Sequence, residues 1–505
     1  MRTSLNRFSI KVDAGAEVVL YGSDPAPTQT QYDSKESTVA QESPPQLRRA
    51  LGLVGLTLFG LSYMAVATVF TTYGIVNQVT DGHLPLAYVV ALITMIFTAL
   101  SYAAMVHRFP VAGSAYTFVQ QSFGGTAGFL TGWLLLLDYL FIPMINFMIL
   151  GLYVGTQFPS IPTQVFSLAA VIIIYVFNVL GIKMANRFNI ATIAISVATV
   201  IVFAILALKT AINDPSAPGL LEPFTFGAEG FSPILTGAGI LALSFLGFDA
   251  VSTLSEEAKH PKRDIPRAII LTTLLGGGIF ILVSWVGALA YHPDDWSSVP
   301  QQLLDAAGVV LADHVGGQAL AIVMVISSIA GCLGSGLAGQ VSVSRILYSM
   351  GRDGTLPRVL GKLSPRFKTP AVATTAVSIV ALSCLFLSLD QAAFMISFGA
   401  LAAFSMVNLS VIRAYIFPAS GEAYRSPWGI IRFGVMPLIG FGLSIWLWTS
   451  LEPFTWVIGG IWAVIGVAIL LFRTSFFRRP VPILNFAEDD PSDSVETPMT
   501  KEEQK

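Results

Sequence analysis

Residues 233–265 read PILTGAGILALSFLGFDAVSTLSEEAKHPKRDI, and Pro266 closes the stretch. Its first half is apolar and rich in small residues, as a membrane-crossing helix is. Asp249 stands well inside the apolar run, beside Gly247. The run ends on Glu256 and Glu257, and Lys259, Lys262, Arg263 and Arg267 follow at once. An ionisable group inside a spanning helix is costly, so it marks a functional site by default. Glycine next to it weakens the helix at a point where an unwound backbone loses little. A discontinuous membrane helix with a site at its break is expected, the pattern secondary transporters use near the bilayer midplane.

The composition agrees. Hydrophobic residues make up 54% of the 505 and charged ones 11%, against roughly 25% charged in soluble domains. Most of the chain is available for spanning helices of about 20 residues each. The net charge of −2 decides nothing, because in a membrane protein the placement of charge carries the information. Cys332 and Cys384 fall in apolar stretches and offer neither a disulfide framework nor metal-ligand spacing. Met1 to Gln46 is polar throughout, so no signal peptide is expected there.

Residues 1–47 have no hydrophobic period and are expected to form a disordered tail. Twelve apolar spans follow, at 51–79, 86–106, 126–157, 164–182, 188–209, 233–257, 267–290, 317–350, 370–388, 392–414, 431–450 and 454–473. They make residues 48–478 one helical body, and 479–505 a second polar tail, acidic from Glu488 onward. Basic residues test the count. The N-terminal tail, Arg108, Lys183 with Arg187 and the Lys259–Arg267 cluster fall in alternate loops. So do the Arg345–Lys368 loop, the Arg413–Arg432 loop and the tail after Arg473. The opposite loops lie near Asp81, Pro159, Asp214, Asp294, Asp390 and Glu452, with Lys209 alone at a helix end. All but Lys209 of the 28 Lys and Arg thus sort to one face. By the positive-inside rule that face is the cytoplasm and both termini are inside.

A weak internal repeat joins Tyr63-Met64-Ala65-Val66-Ala67-Thr68-Val69 in the first span to Phe248-Asp249-Ala250-Val251-Ser252-Thr253-Leu254 in the sixth. Five spans separate the starts, so the second copy has opposite topology, as in inverted-repeat carriers. The segment Phe109–Phe123 reads as a re-entrant loop belonging to the first copy.

Several motifs resemble those of the amino acid–polyamine–organocation transporter superfamily. Phe109-Pro110-Val111-Ala112-Gly113-Ser114-Ala115-Tyr116 is similar to its loop between helices two and three. Phe245-Leu246-Gly247-Phe248-Asp249-Ala250, with Ser255-Glu256-Glu257 and the run His260–Pro266, resembles its helix-six signature. Ser342-Val343-Ser344-Arg345 and Met350-Gly351-Arg352-Asp353 are similar to its segment after helix eight. Leu137-Asp138-Tyr139-Leu140-Phe141, Pro143-Met144-Ile145-Asn146, Thr68-Val69-Phe70 and Tyr73-Gly74-Ile75-Val76 resemble the bacterial putrescine importers within it. The resemblance spans about residues 47–475. It implies an all-α integral membrane fold of twelve transmembrane helices: a five-plus-five inverted repeat with broken helices 1 and 6, and two more helices at the C-terminus. It also implies a proton-coupled amine or amino-acid cargo.

Asp249 aligns with the acidic residue of the family's broken sixth helix, whose implied role is to sense protons near the substrate. A structural acid satisfied by backbone amides is the alternative. Asp138 lies about 12 residues into the third span, roughly 18 Å along it at the helical rise, near mid-membrane. An unpaired carboxylate in apolar surroundings is costly in its charged form. Asp138 is therefore a proton carrier or the partner of a cationic substrate, or else a neutral acid bonded to a neighbouring helix. The break of the first span is placed at Ser62–Thr68. Amino-acid carriers of the superfamily have a Gly-x-Gly there to grip a carboxylate, whereas this chain has Val66-Ala67-Thr68. Lacking both glycines, its backbone turns less freely to aim amides at an anion, which favours a purely cationic cargo. Tyr63, Tyr116, Tyr139, Phe245 and Phe248 are aromatics suited to box an ammonium group, although most of the 34 Phe simply face lipid or core. The candidate substrate-binding set is Tyr63, Met64, Ala65, Val66, Ala67, Thr68, Tyr116, Asp138, Phe245, Phe248, Asp249 and Ser252, with Asp249 and Asp138 also the candidates for proton coupling. Gly331, Ser335 and Gly339 form a small-residue stripe that reads as close helix packing.

All five histidines (His83, His107, His260, His292, His314) fall in loops, so none is a mid-membrane proton relay. The chain has no G-x-x-x-x-G-K-[ST] for an ATP-driven pump and no H-E-x-x-H or G-x-S-x-G for a hydrolase. No lysine stands in span five, where some relatives use one in place of sodium, so a sodium site at Ser327 or Ser328 stays open. The reading is an inner-membrane secondary transporter importing putrescine or a related small polyamine by proton symport, without cofactor, metal or nucleic acid. Spans 1, 2, 6 and 7 would rock against the others. An amino-acid or monoamine permease of the same superfamily is the alternative. A membrane enzyme would need a nucleophile–base or metal constellation, and a receptor would need a large soluble domain.

Overall fold

The computed structural model describes residues 49–474 apart from 112–113, 159, 181, 228–229, 294–295, 297–298, 300–303, 305–306, 353, 355, 388, 420–422, 450 and 452. The expected tails, 1–47 and 479–505, lie outside the described residues. The described chain is helical, with one isolated parallel bridge between Leu51 and Ala258. The helices are α1 (Leu53–Tyr63), α2 (Thr68–Thr80), α3 (Leu84–Arg108), α4 (Ser114–Phe123), α5 (Gly125–Gln157), α6 (Thr163–Leu180), α7 (Ile182–Asn213) and α8 (Ser232–Leu241). They continue with α9 (Pro261–Ala290), α10 (Ala307–Arg352), α11 (Ala371–Ala381), α12 (Leu389–Val411), α13 (Pro427–Thr449) and α14 (Pro453–Arg473).

Among the described residues, ten helices are long and apolar enough to cross a membrane, and the bent pair α1–α2 makes an eleventh. The stretch expected as the ninth span is the shorter apolar helix Ala371–Leu385. Several ends extend beyond the apolar runs that announce them. The seventh span begins at Pro261 rather than 267, because proline at the first position and Asp264 in the first turn suit a helix start. The eighth begins at Ala307, with Gly317 non-helical inside it, and runs to Arg352. Arg345 is consequently helical rather than in a loop. His107 and His314 likewise sit in exposed end turns of α3 and α10, not in loops.

Both expected breaks are present. Helix α1 ends at Tyr63 and α2 resumes at Thr68 with a 44° bend. The sixth span is α8, a 3₁₀ turn at Ala242–Phe245, an extended Leu246 and Gly247 at φ 131°, then a 3₁₀ helix Ala250–Glu257. In the segment 109–123, residues 109–111 are non-helical and Ser114–Phe123 form α4, mostly buried, which packs on α5. Helix α5 is central: α10 and α12 flank it, α3 runs along α9, and α7 along α10.

Two contacts lock distant parts together. Trp133 on α5 and Trp462 on α14 stack at 4.5 Å, and each indole N–H donates to the other's backbone carbonyl at 2.8 Å. Where the basic loops gather, the buried Arg345 guanidinium pairs with the buried Glu257 carboxylate. The Glu257 carbonyl accepts the N–H groups of Ala50 and Leu51 at 2.9 and 3.0 Å, and Lys259 N–H donates to Leu51 at 2.8 Å.

Candidate functional site

The first break unwinds without glycine. Ala65 takes φ 45°, a left-handed value that costs a side chain about 1–2 kcal/mol. The Thr68 hydroxyl bonds back to the carbonyls of Ala65 at 2.5 Å and Met64 at 3.2 Å, filling acceptors that the interrupted helix leaves open. The second break crosses the first directly. A Cβ on Gly247 would lie 2.8 Å from Tyr63 Cδ1 and 2.9 Å from the Met64 nitrogen.

Asp249 leads the 3₁₀ segment and is buried. Its Oδ2 accepts the Tyr139 hydroxyl at 2.5 Å and its Oδ1 accepts Gly247 N–H at 3.2 Å. Tyr139 meets the Ser114 hydroxyl at 3.3 Å, so Ser114 on α4, Tyr139 on α5 and Asp249 form one chain. Asp138 precedes Tyr139 on α5 and is fully buried, yet among the described residues neither of its oxygens has a hydrogen-bond partner. Tyr139 links it to Asp249, since Asp138 is its neighbour in the chain and Asp249 accepts its hydroxyl. Helix α12 comes close here because Gly399 has no side chain: a Cβ there would sit 2.4 Å from the Leu134 carbonyl and 3.0 Å from the Asp138 nitrogen. Pro143 lies within α5 and has no N–H to offer the Tyr139 carbonyl one turn back, which loosens the helix beside the pair.

Tyrosine surrounds the carboxylates. Tyr63 packs edge-on to Tyr139 at 6.2 Å, and its buried hydroxyl has no hydrogen-bond partner among the described residues. Tyr63, Tyr102 and Tyr139 all lie within electrostatic reach of both Asp138 and Asp249. Phe248 packs against Tyr102 at 5.8 Å and Phe404 at 5.4 Å. The pair is sealed from solvent, with Asp138 0% and Asp249 1% exposed. A surface cavity of about 470 Å³ between Leu206–Pro215 and Val315 is lined by other residues.

The remaining expected residues divide. Met64 lies over Gly276 of α9, and Ala67 faces Gly331 of α10. Val66 is buried with them. Phe245 packs on Tyr88 and Phe280, in the α3–α9 interface. Tyr116 lies over Gly132, and its hydroxyl accepts from Gln120 at 3.2 Å. The Ser252 hydroxyl donates to the Asp249 carbonyl at 2.6 Å, within its own helix. Residues not expected in the site also enter it. Ser335, read as packing, donates to the Tyr63 carbonyl at 2.6 Å and accepts from Asn146 at 3.0 Å. Ser114 and Tyr102 reach the site from neighbouring helices; no pattern within either helix signals this, since which face turns inward is set by packing between helices.

Residues 56–477 match the amino acid permease family. The chain is 40% identical to the low-affinity putrescine importer PlaP of Escherichia coli (strain K12) over 441 residues, 86% of this chain and 96% of that protein. It is 31% identical to the branched-chain amino acid permease BcaP of Lactococcus lactis subsp. cremoris (strain MG1363), over 81% of this chain and 91% of that one. It is 28% identical to the methylthioribose transporter of Bacillus subtilis (strain 168), over 86% and 95%.

Proposed function

This chain belongs to the amino acid permease family, a family of transporters rather than enzymes, and we propose that it imports putrescine or a related small polyamine by proton symport. The observation that carries the proposal is Asp138. Two buried carboxylate oxygens without a donor are costly, and a cationic cargo supplies the missing charge and N–H groups. Asp249 lies beside it, so the site holds two acids for a two-headed amine. The unpaired Tyr63 hydroxyl and the rings of Tyr63, Tyr139 and Phe248 add polar and cation–π contacts. Carbonyls at the C-terminal end of the α1 half-helix favour a cation further. The identity to a putrescine importer supports the same cargo. Asp138 and Asp249 remain the candidates for the coupled proton.

A sealed pair can exchange cargo only if helices move, which fits rocking of spans 1, 2, 6 and 7 against the rest. The two crossing breaks fit the inverted five-plus-five arrangement within twelve spans. A bacterial inner-membrane location with both termini in the cytoplasm, and residues 48–478 as the transport domain between two cytoplasmic tails, complete the reading. The second reading, an amino-acid or monoamine permease, draws support from the likeness to BcaP. Two buried acids and a break without Gly-x-Gly disfavour it, because a substrate carboxylate would meet negative charge.

The test is uptake of labelled putrescine into proteoliposomes under imposed proton or sodium gradients. Cadaverine or spermidine should compete and neutral α-amino acids should not. Competition by leucine or glutamate, with none by putrescine, ends the diamine reading.

A further inference from the structure

We infer that Asn146, Ser335 and the Tyr63 carbonyl form a positioning relay that sets which length of diamine the site prefers; this rests on the diamine reading above. Asn146 Nδ2 donates to Ser335 Oγ at 3.0 Å and also to the Ile142 carbonyl at 2.8 Å, which fixes its rotamer. Ser335 Oγ then donates to the Tyr63 carbonyl at 2.6 Å. All three residues are buried. The relay crosses three helices: α5, which carries Asp138 and Tyr139; α10; and the last turn of α1 before its break.

Helix α5 therefore holds the site at two levels. At one level stand the carboxylate of Asp138 and the hydroxyl of Tyr139. Two turns on, about 12 Å along the axis at 1.5 Å per residue, Asn146 holds the end of α1 through Ser335. Tyr63 joins the levels, because its carbonyl belongs to the relay while its ring packs on Tyr139. Among the described residues, further approaches between α10 and the broken span include van der Waals ones, as at Gly331 to Ala67 and Gly334 to Ser62. Such approaches fix separation but leave sliding along the helix cheap. A directed hydrogen bond to one carbonyl fixes register, so the relay sets how far the break stands from Asp138. The second break, which carries Asp249, meets the first at Tyr63, so the same register sets the separation of Asp249 and Asp138 that a diamine's two ammonium groups must match.

The test compares putrescine and cadaverine uptake in proteoliposomes for Ser335→Ala, Ser335→Thr and Asn146→Leu. Ser335→Ala should narrow the preference between the two diamines at least threefold, through KM more than kcat, and the hydroxyl of Ser335→Thr should restore it. Asn146→Leu should shift the preference in the same direction by less. Amide hydrogen exchange of the 62–68 segment, followed by mass spectrometry without cargo, should quicken in Ser335→Ala and recover in Ser335→Thr. Unchanged preference in Ser335→Ala overturns the proposal, as does a threonine variant that behaves like alanine in both measurements. If wild-type protein takes up neither diamine, the cargo reading falls. Exchange then judges the relay alone, and wild-type protection of 62–68 in Ser335→Ala refutes it.

Discussion

Gly247 and Tyr63 meet where the two broken helices cross, at a separation no side chain on Gly247 can share: its Cβ would stand 2.8 Å from Tyr63 Cδ1. The backbone of Gly247 is also at φ 131°, a region open in practice to glycine alone. Gly247→Ala should therefore part the two breaks and lower stability by about 1–3 kcal/mol. Thermal unfolding in detergent measures the loss, and putrescine uptake should fall with it. A variant with wild-type melting and uptake would show that the breaks tolerate separation.

Asp249→Asn keeps the size of the side chain and removes the charge. Gradient-driven uptake should be lost while the protein still inserts and elutes as a folded species. Tyr139→Phe should be milder, since it deletes one donor to the carboxylate, a contact worth about 1.5–3 kcal/mol. Wild-type uptake by Asp249→Asn across the pH range would leave Asp249 a structural acid.

If Asp138 clamps the cargo, as proposed, rather than carrying the coupled proton, a proton and an ammonium group compete for its carboxylate. Apparent putrescine affinity should weaken as pH falls, and binding should release protons to the medium. Asp138→Asn should abolish that dependence and weaken putrescine about tenfold or more, the worth of one charge-assisted contact, while affecting butylamine less. Binding calorimetry in buffers of different ionisation enthalpy reads both quantities. Normal affinity with unchanged pH dependence in Asp138→Asn would leave Asp249 as the sole anchor and remove the two-acid site.

The Glu257–Arg345 pair gives a prediction about stability. Removing one partner of a buried ion pair strands the other, at about 3–5 kcal/mol. Glu257→Gln should lower the melting temperature more than Glu256→Gln, whose carboxylate pairs with the partly exposed Arg352. Equal shifts would mean that the buried pair is hydrated in the membrane.

Much of this fold was legible because a membrane imposes it. An apolar run of span length has few alternatives, and the spans read from hydropathy fall on helices, some extended by further turns, as at Pro261 and Ala307. Asp138 and Asp249 were legible for the same reason, since a carboxylate in an apolar run stands out. The side-chain partner of Asp249 was not. Tyr139 reads as one aromatic among many, and only the packing of α5 against the sixth span aims its hydroxyl at Asp249. Ser335 has the size that close packing needs, so a small-residue stripe conceals its hydrogen bond. Phe245, two residues from Gly247, packs on Tyr88 and Phe280 in the α3–α9 interface, a facing that packing between helices decides.

The reciprocal clasp of Trp133 and Trp462 has a spectroscopic consequence. None of the eight tryptophans stands at either break, and the stacked indoles tie the final helix to α5. With the other six replaced by phenylalanine, Trp285 on the rocking α9 among them, fluorescence of the pair should report the seating of α14 and stay nearly silent when cargo reaches the carboxylates. A dye placed beside Tyr63 would see what that emission misses, and a change in the signal of the Trp133–Trp462 pair during transport would mean that the frame itself, along with the rocking spans, had flexed.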